Sequence, residues 1–200
     1  LYVIPNLRGS DFYGPKWYLD GKMLKKKNTF LDFQNVAKYL IKKNYTSSDK
    51  LVIEGGSAGG LLVGACMNMN PSLYNKKYFG IILHSISVVH DTEMDEWGNP
   101  NKYKSHYDYI LSYSPYDNIN LTKEYPHIYI TTGLNDSQVQ YHEPLKYYAK
   151  LSQNIFFKEN TKSLLLDIKL DSGHTGTSER YKGITDESKI ISFIIKHTKK

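Results

Sequence analysis

Strands alternating with helices place this chain in the α/β class, as a mostly parallel sheet with helices on both faces. Three observations carry that reading. Short apolar runs recur at Leu51–Ile53, Phe79–Leu83, His127–Thr132 and Leu164–Leu170. Segments of helical period follow them, at Leu61–Met69, Glu143–Leu151 and Ile190–Ile195. Glycine-rich or polar loops, where functional side chains sit, close these runs.

Taken in order, Leu1–Leu7 reads as a buried strand that turns at Arg8-Gly9-Ser10, and Asp11–Asn28 as an irregular aromatic loop. From Thr29 to Lys43, Phe30, Phe33, Val36, Ala37, Leu40 and Ile41 keep helical spacing, with Thr29 and Asp32 resembling a helix N-cap. The Leu51–Ile53 strand runs into Glu54-Gly55-Gly56-Ser57-Ala58-Gly59-Gly60, and a helix ends near Asn70-Pro71. His84–Asn101 is polar and acidic, with a turn at Gly98-Asn99-Pro100. Loops carrying Asn135-Asp136 and Asp171-Ser172-Gly173-His174 follow the last two strands.

The 200 residues suit one domain able to bury a sizeable core without disulfides. No internal repeat or linker divides residues 1–200. The single cysteine, Cys66, cannot form an internal bridge, so nothing requires an oxidising compartment and a cytoplasmic setting is expected. No apolar run approaches membrane-spanning length, and no signal segment opens the chain. It begins at Leu1, already inside an apolar run, and so reads as the middle of a longer protein. The net charge of +6 comes from lysines in short scattered groups, which suits solvated surface and argues against a nucleic-acid partner.

Gly55-x-Ser57-x-Gly59 between strand and helix is the pattern of a nucleophile elbow, in which small neighbours let the strand and helix backbones approach. A phosphate loop would need Gly-Lys-Ser/Thr or Gly-x-Gly-x-x-Gly, and neither is present. A serine hydroxyl is a weak nucleophile and needs a base and a group to orient that base. In the order Ser, Asp, His, the strand-end Asp136 and the Gly-flanked His174 fit those roles. His84 comes too early in that order, Asp117 reads as a turn or cap residue, and Asp171, three residues from His174, is set aside because triad members usually come from different loops. The backbone N–H of Ala58 is the expected oxyanion donor, with a second donor expected from upstream of the elbow.

Gly55–Gly60, the Asp95–Pro100 stretch Asp-Glu-Trp-Gly-Asn-Pro, Ser112–Asn118, Thr131–Gln140, Asp171–His174 and the Trp17–Phe30 segment together resemble the oligopeptidase B branch of the prolyl oligopeptidase family of serine peptidases. The resemblance covers nearly the whole chain. It implies an α/β-hydrolase catalytic domain, represented here by its carboxy-terminal part, with a β-propeller upstream that restricts access to short peptides. It implies Ser57, Asp136 and His174 as the triad, and Glu93 and Asp95 as the carboxylates that line the pocket for a P1 Arg or Lys. It also implies that the segment at 85–91 is shorter than in relatives, and that no metal or organic cofactor takes part. The resulting expectation is a serine oligopeptidase acting on short basic peptides. A prolyl-specific oligopeptidase or esterase of the same fold, and a truncated domain without turnover, stand as the alternatives.

Overall fold

The computed structural model describes residues 1–74, 80–86, 93–177 and 179–198, so most of the segment expected to be shortened lies outside the described residues. Among the described residues, four strands form one parallel sheet in sequence order: β1 (Ile53–Ser57), β2 (Gly80–Ile86), β3 (His127–Gly133) and β4 (Leu164–Lys169). Parallel neighbours need crossover connections, and helices supply them. The helices are α1 (Pro15–Leu19), α2 (Lys27–Lys42), α3 (Ala58–Met69), α4 (Met94–Trp97), α5 (Lys104–Leu111), α6 (His142–Leu151), α7 (Ile155–Lys158) and α8 (Arg180–Thr198). The expected α/β class and parallel sheet are therefore observed.

Side chains alternate across β3 and sort the core into two layers. Ile128 and Ile130 join the larger cluster, where Ile53 of β1 meets Phe30 and Ala37 of α2, Leu61, Val63 and Met67 of α3, and Tyr147 and Leu151 of α6. Tyr129, between them in sequence, faces the other way and packs with Ile190 and Phe193 of α8. At the lower end of the sheet, the His197 ring of α8 stacks on His127 at 3.9 Å. Helices thus cover both faces, and burial of these apolar side chains at roughly 25 cal/mol per Å² is the main force holding them there. Cys66 lies in the larger cluster, where burial pushes its thiol up to about 12. It packs rather than reacts.

Several local expectations change. Residues 1–5 belong to no strand, and Leu1, Tyr2 and Ile4 are exposed. The apolar run has no ladder partner among the described residues, and a strand cannot satisfy its own backbone groups alone. A cleft of about 740 Å³ lies between residues 1–5, α2, the edge strand β1 and the end of α8. The aromatic stretch before α2 contains α1 and a short 3₁₀ turn at Met23–Lys25, rather than loop throughout. Thr29 is not a cap, because α2 begins earlier; its hydroxyl donates instead to the Arg8 carbonyl at 2.7 Å. Asp32 likewise accepts both Arg8 guanidinium bonds, at 2.6 and 2.8 Å, and ties the start of the chain to α2.

Candidate active site

Strand and helix meet at Ser57 with no loop between them: it is the last residue of β1 and the cap of α3. Its φ of 55° and ψ of −124° lie outside the regions an L-residue prefers. Such a conformation costs on the order of 1–3 kcal/mol and persists only where surrounding contacts impose it. The constraint is the close approach at Gly55, where a Cβ would stand 2.2 Å from the Gly59 carbonyl oxygen and 2.9 Å from a Val63 methyl. Ladder register with β2 also shifts between Gly56 and Ser57, lifting the serine out of the regular pleat. Ala58 is the first residue of α3, and the first amides of a helix have no intrahelical acceptor. Its N–H is free by position to meet an oxygen held above Ser57.

Asp136 lies just past the end of β3, with its side chain wholly shielded from solvent. One carboxylate oxygen accepts the backbone N–H groups of Gln138 and Val139 at 2.9 and 2.8 Å. His174, beyond β4, places Nδ1 at 3.0 and 2.9 Å from the two carboxylate oxygens. Burial alone would push the Asp136 carboxyl up. The Val139 and Gln138 amides and the imidazole outweigh it and hold the group below its ordinary value. A carboxylate only accepts, so Nδ1 carries the proton and a neutral His174 presents Nε2 as a base.

The two loops are fastened to each other. Asn135 donates its N–H to the Ser172 carbonyl at 3.1 Å, and Leu134 donates to that of Lys169 at 2.9 Å. Gly133 makes this approach possible: a Cβ there would stand 2.4 Å from the Ser172 carbonyl oxygen and 2.8 Å from that of Gly173. The structure therefore brings Asp136 and His174 together at the carboxyl ends of the strands, the end that also carries Ser57. Among the described residues, no hydrogen bond joins Ser57 to His174. Contacts of this kind commonly tighten only around a bound substrate.

The rival candidates are engaged elsewhere. Asp171 is exposed and pairs with Lys182. Asp117 accepts from the Ser114 hydroxyl at 2.6 Å, as a turn residue does. His106 accepts the Asn99 N–H, and His197 is stacked against His127.

Glu93 caps α4 and Asp95 lies in its first turn, and both are exposed rather than partly desolvated. Glu93 accepts the Trp97 indole N–H at 3.0 Å. The sequence reading passed over Glu96, the more engaged acid. It accepts the Tyr18 hydroxyl at 2.6 Å and lies 3.6 Å from the Lys26 ammonium. Its place inside the Asp-Glu-Trp-Gly stretch was visible, but its partners come from residues 18 and 26 and no local pattern announces them.

Comparison with known proteins places the chain in a family. The model of the prolyl oligopeptidase family matches residues 1–200. The chain belongs to the prolyl oligopeptidase family. It is 41% identical to Protease 2 of Moraxella lacunata over 98% of its own length and 29% of that protein. It is 33% identical to a prolyl endopeptidase of Dictyostelium discoideum over 98% of its length and 27% of that protein. Oligopeptidase B from Leishmania major superposes with a TM-score of 0.84 at 39% identity, covering 96% of this chain and 27% of that one. The chain thus spans under a third of the relatives it matches, and the shared part has the α/β-hydrolase fold of the family's catalytic domain. Among the described residues, no helix is long and apolar enough to cross a membrane.

Proposed function

We propose that residues 1–200 are the carboxy-terminal part of the catalytic domain of a serine oligopeptidase that cleaves short peptides after Arg or Lys. The observation that carries the proposal is the buried Asp136 bonded to His174 at the strand ends that also bear the strained Ser57. In this reading Ser57 Oγ attacks the scissile carbonyl carbon as its proton passes to His174 Nε2. The oxyanion accepts the Ala58 N–H and a second donor from upstream of the elbow. Collapse breaks the C–N bond, His174 gives its proton to the leaving amine, and an acyl-enzyme remains. Water, deprotonated by the same imidazole, then releases the acid. Asp136 holds the tautomer and stabilises the imidazolium throughout.

Exposed apolar residues at 1–4, and the place of β1 at the edge of the sheet among the described residues, support a domain continued upstream, where further chain would fill the cleft beside β1. A β-propeller further upstream, limiting entry to short peptides, completes the proposed protein, and a cytoplasmic location fits it. Glu93 and Asp95 are the proposed carboxylates for a basic P1 side chain.

The test is labelling of the full-length protein with a serine-directed fluorophosphonate, followed by cleavage of chromogenic peptides with Arg, Lys or Pro at P1. Labelling that disappears in Ser57→Ala and a preference for Arg and Lys are expected. Absence of labelling would remove the catalytic reading. Preference for Pro would move the chain toward the prolyl endopeptidases it also resembles.

A further inference from the structure

Three acids stand within four residues, Glu93, Asp95 and Glu96, and their surroundings differ. Glu96 is committed within the fold: Tyr18 donates to it at 2.6 Å, and Lys26 lies 3.6 Å away with little of its side chain exposed. Lys22 donates to the same Tyr18 hydroxyl at 3.0 Å, and its ammonium stands in the field of both Glu96 and Asp95. Asp95 is exposed. Glu93 meets one neutral donor, the Trp97 indole N–H at 3.0 Å, and no salt bridge to it is found among the described residues.

That donor is held firmly. Trp97 is 5% exposed and belongs to the main core cluster. The Lys26 ammonium lies over its ring at 4.5 Å, Glu96 pairs with Lys26, and Tyr18 donates in turn to Glu96. A buried ring with a single donor engages one carboxylate oxygen of the exposed Glu93 and leaves the other able to accept a further donor. An exposed glutamate without such a contact would scatter over its rotamers, and ordering it on binding would reduce affinity.

We propose that Trp97 is a positioning residue for P1 selectivity: through its indole N–H it presents the Glu93 carboxylate to a guanidinium or ammonium group, and Glu93 rather than Asp95 or Glu96 carries most of the discrimination. This rests on the basic-pocket reading above. In this role Trp97 acts only through binding of the P1 cation, so its effect falls on KM for basic substrates and leaves kcat alone.

The experiment compares Trp97→Phe, which keeps a ring beneath Lys26 and deletes the donor, with Glu93→Gln and Asp95→Asn in the full-length enzyme. Arg-P1 peptides are assayed beside an uncharged ester, and fluorophosphonate titration counts active sites. Trp97→Phe is expected to raise KM for the Arg substrate by roughly 5- to 10-fold, the scale of one typical net hydrogen bond, with the ester constants unchanged. Glu93→Gln should cost more than Asp95→Asn, and Trp97→Phe should add nothing in the Glu93→Gln background. Equal losses on Arg substrate and ester, or further loss in the double variant, would overturn the positioning role. If Glu93→Gln shifts the Arg-to-ester ratio while Trp97→Phe does not, only the role of Trp97 fails. If neither Glu93→Gln nor Asp95→Asn shifts it, the pocket reading fails and this inference with it.

Discussion

The Ser57 elbow and the Asp136–His174 pair stand at the same end of one sheet but are held by different physics. The elbow is local. Five consecutive residues, from Gly55 to Gly59, set the strand-to-helix turn, and the close packing of Gly55 against the Gly59 backbone keeps Ser57 in its strained conformation. The pair is distant in sequence. Its members are 38 residues apart and meet because β3 and β4 are neighbours and Gly133 lets the Ser172–Gly173 backbone lie against it. One site element is therefore built by sterics along the chain, and the other by register across the sheet. The difference teaches where each can be broken.

Chemistry gives the largest expected effects. Ser57→Ala should reduce peptide turnover by about 10⁴-fold or more, because the nucleophile is removed outright, with folding by circular dichroism unchanged. Asp136→Asn should lower kcat by about 10⁴-fold at neutral pH, since an amide can neither enforce the Nδ1–H tautomer nor stabilise an imidazolium. A residual rate within tenfold of the parent in either variant would contradict the assigned roles.

Backbone changes should separate the two regions. In Gly133→Ala the new methyl meets backbone rather than a flexible side chain, so the His174 loop must retreat. The expected result is a loss of about 10²-fold in kcat, since displacements near 1 Å suffice for that. Labelling of the serine by fluorophosphonate should slow in parallel. Gly55→Ala should instead act on folding, lowering the thermal midpoint by several degrees or preventing recovery of soluble protein. Gly59→Ala is the control. A Cβ there meets nothing within 4 Å, so stability should shift by less than about 1 kcal/mol.

The smallest effect is on pH. Asp136 is held below its ordinary value despite burial, by the Val139 amide, His174 and the Gln138 amide. The unfolded chain therefore binds this proton first as pH falls. The stabilisation is complete above the unfolded carboxyl value of about 4 and is lost as pH drops through the lower folded value. Urea midpoints of the parent and Asp136→Asn should converge below about pH 4 and separate above it. A constant difference across that range would mean that the pair contributes no titrating stability.

The amino-acid sequence by itself determined the α/β class, the strand-helix alternation, the elbow and the order Ser57, Asp136, His174. Each follows from short-range rules of hydrophobic period, small residues at a tight turn, and glycine-bounded loops at strand ends. Only the tertiary structure decided that residues 1–5 stay out of the sheet, because a strand exists by virtue of its neighbour. It also decided that Asp136 is shielded and doubly bonded to His174 while Asp171, closer in sequence, turns outward to Lys182. The unequal fates of Glu93, Asp95 and Glu96 were likewise illegible along the chain. Burial, charge pairing and hydrogen-bond partners are set by segments that meet only on folding, and three adjacent carboxylates read alike until Tyr18, Lys26 and Trp97 are brought beside them.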